Sequence, residues 1–196
     1  MKKTILILSA VVMTAMMLSS CGGGGSQVWM AENLNVSTFR NGDPIPQAKT
    51  AKEWKAAGKN KQPAWCYFDN DPKNGEKYGK LYNFYAVTDS RGLAPKGFHV
   101  PSDEEWTKRE EFLRTVVNGG SGFVDGGGGF SGFRFRTSDG FFPEFDAQSD
   151  SYGYWWSSTE NSTDQAYYRA VGGTSCIGDR DVSSKECGFS VRCLRD

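Results

Sequence analysis

The chain has a single histidine, His99, and its five cysteines include no closely spaced CxxC pair. Zinc sites need three or four Cys, His or acidic ligands, usually at short spacings, so the sequence predicts no metal and no other cofactor. The G-x-S-x-G motif of many serine hydrolases is also missing. His99 lies between Phe98 and Val100 in a predicted strand, where a structural role is the commoner one. These absences favour a protein that is not an enzyme.

Charge of one sign is not in excess, because 23 basic residues balance 23 acidic ones. Neither a basic patch nor an acidic tail appears in the sequence, so nucleic acid is not a predicted partner. Methionine is scarce, since Met30 is the one methionine beyond the first 20 residues. A Met-rich adaptable groove is therefore excluded.

No apolar run is long enough to span a bilayer, since the longest, from Ile5 to Leu18, falls short of the ~20 residues that a spanning helix needs. After Lys2 and Lys3, this run is typical of a secretory signal peptide. It ends in Ser19-Ser20-Cys21, which resembles the lipoprotein signal in which Cys21 becomes lipidated. The alternative is an ordinary signal peptide with an incidental cysteine.

The predicted organisation is therefore a signal peptide at 1–20, a lipidated Cys21 with a Gly/Ser tether over 21–27, and one domain over 28–196. Removal of Lys2 and Lys3 with the signal leaves a slight acidic excess. The predicted location is the outer membrane or cell surface, with the membrane as a partner through the lipid anchor.

Four cysteines remain after lipidation, and an even number in an exported protein favours disulfides. Three pairings are possible. Our interpretation joins Cys66 to Cys193 and Cys176 to Cys187, the first closing the domain end to end and the second closing a loop.

The clearest local signal is Ser102-Asp103-Glu104-Glu105, a capping box that predicts a helix from Asp103 to about Val117. Its inward residues would be Trp106, Leu113, Val116 and Val117, although Arg109 and Glu110 interrupt them. Shorter elements are predicted as strands at 28–36 and 65–68, a helical turn at 52–57 closed by Gly58, and a buried helix at 81–87. The segment 69–75, DNDPKNG, is dense in turn formers and predicts a solvated surface loop. A calcium loop is the alternative, although the closing glutamate of that pattern is missing.

The C-terminal quarter combines aromatic residues with small polar ones, a mixture that antibody-like binding surfaces use. Trp155 and Trp156 are adjacent in a predicted strand and should point to opposite faces as framework. Phe189, Val191 and Cys193 share a face and should be core, with Arg192 on the opposite face beside a carboxylate. Helices early and antiparallel strands late predict an α+β fold.

Several segments, read together, resemble the Fibrobacter succinogenes major paralogous domain. They are VWMAENLN at 28–35, YGKLYNFYAV at 78–87, GLAPKGFHVPSDEEW at 92–106, YWWSST at 154–159 and GFSVRC at 188–193. This resemblance implies a C-type-lectin-like fold, two short helices packed on antiparallel sheets with long loops, related to formylglycine-generating sulfatase-modifying domains. It also implies an exported lipoprotein of the kind common in Bacteroidetes.

Some proteins of this fold are targets of diversity-generating retroelements, which rewrite a C-terminal cassette ending near a motif like GFSVRC. By that resemblance, the segment 154–193 becomes a diversified surface that binds a protein or a glycan. The candidate contact residues are Gln165, Tyr167, Arg169, Thr174, Ser175, Ile177, Asp179, Asp181, Ser183 and Lys185.

Other functions stay open at this stage. The formylglycine-generating relatives imply an oxidase that uses copper and a reactive cysteine pair, for which Cys187 and Cys193 are the candidates. Paired acids for glycoside cleavage are possible wherever two carboxylates meet, and a structural surface-fibre subunit is a further alternative. Sugar binding through calcium is not expected, because EPN-like and WND-like triplets are absent.

Overall fold

The computed structural model describes residues 27–118, 136–142, 152–172 and 178–196. The predicted signal peptide, Cys21, the predicted tether up to 26 and a segment at 119–132 whose sequence is rich in glycine lie outside the described residues. The helices are α1 (Ala51–Lys59), α2 (Pro72–Tyr78), α3 (Phe84–Val87) and α4 (Asp103–Asn118), and a 3₁₀ turn occupies Phe68–Asn70. The strands are β1 (Trp65–Cys66), β2 (Leu81–Tyr82), β3 (Phe98–His99), β4 (Tyr152–Glu160), β5 (Gln165–Gly172), β6 (Asp179–Ser184) and β7 (Leu194–Arg195).

The fold is α+β, as predicted, and its largest sheet is the antiparallel set β4-β5-β6. In this sheet Trp156 pairs with Tyr168, and Tyr168 pairs with Asp181. Two smaller antiparallel pairs, β1-β2 and β3-β7, complete the strands of the described residues. The described helices number four rather than the predicted two, and three of them lie before residue 88.

The stretch from 188 to 194 joins these separate pieces of sheet. Phe189 bridges to Tyr82, Ser190 to Trp155 and Leu194 to Trp29. The side chains of Phe189, Val191 and Cys193 are buried in the main core cluster, which confirms the predicted inward face. Arg192 points away from them, and its guanidinium donates to the side-chain oxygen of Asn33 at 2.9 Å.

Helix α4 begins at the predicted capping box. The Ser102 hydroxyl accepts from the Glu105 amide at 3.2 Å, and the Glu105 carboxylate accepts from the Ser102 amide at 2.8 Å. Trp106, Glu110 and Leu113 are buried, while the side chains of 116–118 are not among the described ones. The predicted inward face therefore includes one acid, Glu110.

The second interruption of that helix face also has a structural cause. The Arg109 guanidinium lies over the rings of Trp29 and Trp106, at 5.3 and 5.9 Å from their centroids. A cation placed over an aromatic face is attracted by the ring. Arg109 thus covers a small aromatic cluster instead of turning fully to solvent.

Three N-terminal predictions need correction. Residues 28–36 form no strand, since only Trp29 makes a bridge, to Leu194. The strand at 65–68 stops after Cys66. Residues 69–75 do not form an open turn, because Asp71 caps α2 by accepting from the Lys73 amide at 3.0 Å, and Pro72 occupies the first helical position. Aspartate and proline are turn formers, and the same properties favour them at helix starts.

The predicted helix at 81–87 is half right. Leu81 and Tyr82 pair with β1, and only residues from Phe84 onward are helical. The change occurs at Asn83, whose side-chain oxygen accepts from the Ala86 amide at 3.1 Å and from the Ala64 amide at 3.0 Å. One buried amide group thus caps α3 and holds the chain before β1.

The predicted disulfide from Cys66 to Cys193 is wrong, because both are free thiols. They belong to different clusters: Cys66 packs with Trp54 and Phe68, and Cys193 packs in the main core. Cys187 is also a free thiol, and its predicted partner Cys176 lies outside the described residues. Hydrophobic packing, not a crosslink, therefore closes this part of the domain.

No helix among the described residues combines the length and apolar character that crossing a membrane requires.

Candidate functional site

Strand β4 is fixed from both sides by two adjacent tryptophans, each with 0% of its surface exposed. Trp156 faces the main core, with its ring 4.4 Å from that of Phe189, and its Nε1 donates to the Tyr82 carbonyl at 2.8 Å. Trp155 faces α4, near Trp106, and its Nε1 donates to the Asn33 side chain at 2.8 Å. The framework role predicted for this pair is therefore confirmed for both residues.

The two faces of the β4-β5-β6 sheet carry different side chains. We name them the core-side face, which contains Trp156, and the helix-side face, which contains Trp155. Because side chains alternate along a strand, the register assigns Tyr168, Asp179, Asp181 and Ser183 to the core-side face. The same register assigns Gln165, Tyr167, Arg169 and Arg180 to the helix-side face.

The core-side face has an aromatic and acidic rim. Tyr168 packs against Phe189, with ring centroids 4.8 Å apart, and its hydroxyl donates to the Asp181 carboxylate at 3.4 Å. Burial raises the pKa of Tyr168 to about 12, and the negative charge of Asp181 acts in the same direction. Tyr154 stacks on Phe189 from the neighbouring strand. Half-buried rings thus lie beside an exposed carboxylate.

The helix-side face is crossed by a buried ion-pair network. Arg169, fully buried in β5, donates to Glu110 at 2.8 Å and to Asp103 at 2.6 Å, both on α4. Its remaining donors reach the Thr107 hydroxyl and the Asp103 carbonyl. Arg180 of β6 binds the same Asp103 carboxylate at 2.9 Å. The network therefore joins α4 to both strands of the β5-β6 hairpin.

Burial and charge oppose each other at Glu110. Desolvation raises the pKa of Glu110 above its ordinary value, and the lowering by the Arg169 guanidinium does not cancel it. Burying a carboxylate is costly even when it has a partner. The packing of α4 on the sheet therefore depends on the pairing of Glu110 with Arg169.

Arg180 and Tyr167 form the exposed edge of this network. The guanidinium of Arg180 lies 3.8 Å from the centroid of the Tyr167 ring, and about half of its side chain is exposed. Such a cation–π pair fixes both groups on the surface. An ordered aromatic and charged edge results.

The predicted contact residues do not form one surface. Gln165 and Tyr167 lie on the helix-side face, while Asp179, Asp181 and Ser183 lie on the core-side face. Thr174, Ser175 and Ile177 lie outside the described residues. The contact roles were predicted from position in the segment alone. Side chains that are adjacent in a strand point to opposite faces of the sheet, so these residues cannot form one surface.

Two of the predicted contact residues are buried and need correction. Arg169 is occupied by the ion-pair network described above. Lys185 is 5% exposed, and its ammonium donates to the Thr163 carbonyl at 2.9 Å and to Glu160 at 3.1 Å. These two residues hold the hairpin in place and are not available to a ligand. Tyr154 and Tyr168 were missing from the predicted set, although their alternation with buried neighbours could have found them.

His99 is flanked by two carboxylates. Its Nδ1 lies 2.8 Å from Asp196 and its Nε2 lies 2.9 Å from Glu105. Partial burial lowers the pKa of His99, but the hydrogen bonds to Asp196 and Glu105 outweigh it, so the pKa is raised above the ordinary 6.5. This bracing of β3 against the helix start agrees with a structural histidine.

We expect a direct NMR titration to detect this raised pKa. Because His99 is the single histidine, its ring resonances need no assignment by mutation. A folded-state pKa above the unfolded value means that the stabilisation is fully present below the unfolded pKa and is lost as the pH rises through the folded pKa. Glu105→Gln should move the midpoint downward, while Glu104→Gln, on the exposed side of the same turn, should leave it nearly unchanged. A wild-type midpoint at or below 6.5 would contradict the two-carboxylate geometry.

The described thiols lie in unreactive surroundings. Burial raises the pKa of Cys193 to about 12 and that of Cys66 to about 11, in the latter case despite the nearby Arg136 guanidinium. Burial also raises the pKa of Cys187. Within the described ranges, no group of three His, Cys, Asp or Glu side chains is arranged to hold a metal ion.

Together these features describe an α+β domain whose last three long strands are fixed by buried tryptophans and an internal ion-pair network. The family model of the Fibrobacter succinogenes major domain matches residues 24–121, which is half of the chain. The chain belongs to this family. The matched part ends just beyond α4, so the sheet that carries the candidate contact residues follows it. No curated protein and no solved structure gives a significant match.

Proposed function

We propose that this protein is a surface-displayed, lipid-anchored binding protein that uses the β5-β6 hairpin and its neighbouring loops as a contact surface. The observation that carries the proposal is the division within the hairpin. Its buried side chains are fixed to the framework, while half-buried tyrosines and exposed acidic and amide groups alternate with them. A preorganised surface loses little conformational freedom on binding.

The composition of the exposed groups favours a protein ligand, with a glycan as the second candidate. Tyrosine supplies rigid contact area at a low entropy cost, and small polar groups supply adaptable hydrogen bonds. Tyr167 and Gln165 provide this mixture on the helix-side face, and Tyr168 with Asp181 and Ser183 provides it on the core-side face. Either face can act alone, and they point in different directions.

Diversification of this segment and a C-type-lectin-like architecture are parts of the same proposal. If the segment is diversified, the burial of its side chains supports a narrower set of codons that should differ between gene copies. Differences should fall on Gln165, Tyr167, Asp179, Asp181, Ser183 and the positions 174, 175 and 177. They should avoid the buried framework positions Trp155, Trp156, Arg169 and Lys185. Differences spread evenly along the gene would argue against diversification.

Two other functions are less well supported. The oxidase alternative needs an accessible thiolate, and buried thiols with raised pKa values are poor nucleophiles, so the surroundings of Cys187 and Cys193 favour binding instead. A surface-fibre subunit would self-associate. Analytical ultracentrifugation of the purified protein separates a fibre subunit, which forms long assemblies, from a binding protein.

The binding proposal is tested with immobilised panels of purified surface proteins and of glycans. We expect specific binding to at least one panel member. Tyr167→Ala and Asp181→Ala test the two faces separately, because these residues point to opposite sides of the sheet. The face that binds should lose about tenfold or more in affinity while the melting temperature changes by no more than about 4 °C, and Lys96→Ala, an exposed change outside the sheet, serves as the control. Equal binding by all three variants would contradict a contact surface on this hairpin.

A further inference from the structure

Helix α1 is fixed to the domain by one narrow side. Thr50 and Glu53 form a capping box at its start, with the Glu53 carboxylate accepting from the amides of Lys49 and Thr50 at 2.7 and 3.1 Å. Trp54 is fully buried, and its Nε1 donates to the Glu186 carbonyl at 2.9 Å. Gly58, one turn later, packs directly on the Glu186 side chain. The orientation of the helix about its own axis is thereby determined.

The opposite side of α1 carries a row of lysines. Lys52, Lys55 and Lys59 have the i, i+3, i+7 spacing that places side chains on one helix face, and all three are exposed. Exposed lysines at 49 and 61 extend the row beyond both helix ends. Residues 49–61 therefore contain five lysines and one glutamate, a concentration that the balanced overall charge had concealed.

Among the described residues, close acidic partners do not neutralise the positive charge of this row. None of the five lysines forms an ion pair with another residue in the part of the chain that the structure describes. Glu53 is engaged by the helix cap, and Asp139, whose carboxylate accepts from the Thr137 hydroxyl, is near enough to Lys55 to feel its charge. Glu186 borders the helix at Gly58. Even with these acids counted, a positive excess remains.

An exposed aromatic residue borders the same helix. Phe141 is the one large apolar side chain that is strongly exposed among the described residues, at 64%. Its neighbour Gly140 has a φ of +87°, and a Cβ built there would lie 2.7 Å from the Ala51 backbone, so this turn touches the first residue of α1. The backbone at Phe141 therefore lies close to the start of α1, where Ala51 stands between the exposed lysines at 49 and 52.

We propose that α1 and Phe141 together form a membrane-docking face that lays the domain on anionic lipid headgroups. Peripheral membrane binding combines charge attraction to the headgroups with insertion of an apolar ring at the interface. The lysine row supplies the charge, and the exposed phenylalanine supplies the ring. The exposed residue between the lysines, Ala56, is small and lets the helix lie flat. None of these residues belongs to the β5-β6 hairpin, so the proposal does not depend on the proposed ligand.

The choice of lysine favours a lipid surface over a protein partner. Protein interfaces are enriched in arginine and depleted of lysine, and this face contains five lysines and no arginine. A lysine ammonium is a compact charge that needs no fixed partner geometry. Mobile headgroups offer charge without fixed geometry.

The test uses the full-length protein reconstituted in vesicles of phosphatidylcholine alone or mixed equally with phosphatidylglycerol. An amine-reactive reagent labels exposed lysines, and mass spectrometry measures the labelling rate of each. We expect Lys52, Lys55 and Lys59 to be labelled about tenfold more slowly on anionic vesicles, with the protection lost at high salt because exposed charges are screened. Lys96 and Lys108, which lie outside α1, are internal controls whose rates should not change. Equal rates for the α1 lysines in both vesicles would overturn the proposal.

Further arms separate docking from anchoring and from other anions. Cys21→Ser removes the predicted lipid attachment site. If the wild-type protein stays on neutral vesicles and this variant does not, the anchor at Cys21 accounts for the retention. Phe141→Ala and the triple change of Lys52, Lys55 and Lys59 to Glu should each reduce protection or association with anionic vesicles, whereas Lys96→Glu should not. Circular dichroism checks that these surface variants remain folded. Equal protection by a soluble acidic polysaccharide over neutral vesicles would assign the face to a polyanion and contradict membrane docking.

Discussion

Replacement of Arg169 by methionine is expected to lower the free energy of unfolding by about 3–5 kcal/mol, because it leaves two acids of α4 without their buried partner. Arg169 is completely buried and binds Glu110 and Asp103 at the same time. Methionine retains most of the apolar stem, so the loss reports mainly the charge. Chemical denaturation followed by circular dichroism measures it. A loss below about 1 kcal/mol, the range of an exposed ion pair, would contradict this network.

The same variant should become sensitive to pH in a defined direction. Burial already raises the pKa of Glu110, and Arg169 is the main group that opposes this rise, with smaller contributions from Arg109 and Arg114. Without Arg169, the folded protein binds a proton at Glu110 that the unfolded chain releases above its ordinary pKa of 4.5. The free energy of unfolding should therefore fall as the pH rises above that value, and the variant should be more stable near pH 5 than at pH 7.

Two further variants show whether the cost comes from the unpaired charge. Arg169→Met combined with Glu110→Leu removes both partners, and replacing a buried ion pair by apolar residues is often neutral or even stabilising. The double variant should therefore recover much of the stability that the single change loses. Glu104→Ala breaks the exposed pair with Lys108 on the same helix and should change stability by less than about 0.5 kcal/mol. A double variant that is even less stable than Arg169→Met would point to shape, not charge, as the function of this site.

Local patterns predicted the parts of the fold that depend on neighbouring residues. The capping box at Ser102 determines where α4 begins, because both of its hydrogen bonds join residues three apart. Strand alternation predicted the opposite directions of Trp155 and Trp156, and the inward positions of Phe189 and Val191. In each case the signal is contained within a few residues.

The features that were predicted incorrectly depend on contacts between residues that are distant in sequence. The burial of Arg169 depends on acids about sixty positions earlier, and that of Lys185 on the turn at Thr163. A sequence shows these residues as ordinary polar members of a binding segment. The cysteine pairing failed similarly, because an even count says nothing about which cluster each thiol enters. The basic face was missed because its lysines are separated in sequence by other residues, and the helix brings them onto one face.

The division of the hairpin into two faces changes how its surface can act. Tyr167 and Asp181 are both exposed enough to touch a ligand, but they point to opposite sides of the sheet. A flat ligand can contact one set, and a ligand that grips the hairpin edge can contact both. Changes at exposed positions would leave the buried network intact, because Arg169, Glu110 and the two tryptophans are buried. A surface of this kind can vary in sequence without loss of the fold.

Replacement of Trp156 by alanine is expected to destabilise the domain by about 3–5 kcal/mol, the usual cost of removing a large buried aromatic side chain. Its ring contacts Phe84, Phe189 and Tyr168, which belong to three different elements. Its Nε1 also donates to the Tyr82 carbonyl, which keeps one other donor, the Phe189 amide at 3.2 Å. The cost should therefore arise mainly from lost packing, and less from an unsatisfied carbonyl.

A comparison with two other variants separates packing from the hydrogen bond. Trp156→Phe keeps an aromatic ring but loses the donor, and we expect it to cost about 1–3 kcal/mol, between the alanine variant and wild type. Tyr167→Ala, an aromatic deletion on the neighbouring strand, removes a ring that is only partly buried and should cost about 1 kcal/mol or less. Denaturation followed by far-ultraviolet circular dichroism suits this series, because it does not depend on the tryptophan that is removed. The distinction between framework and contact surface requires the buried Trp156 ring to contribute much more to the free energy of unfolding than the Tyr167 ring. Equal losses of stability in Trp156→Ala and Tyr167→Ala would therefore contradict this distinction.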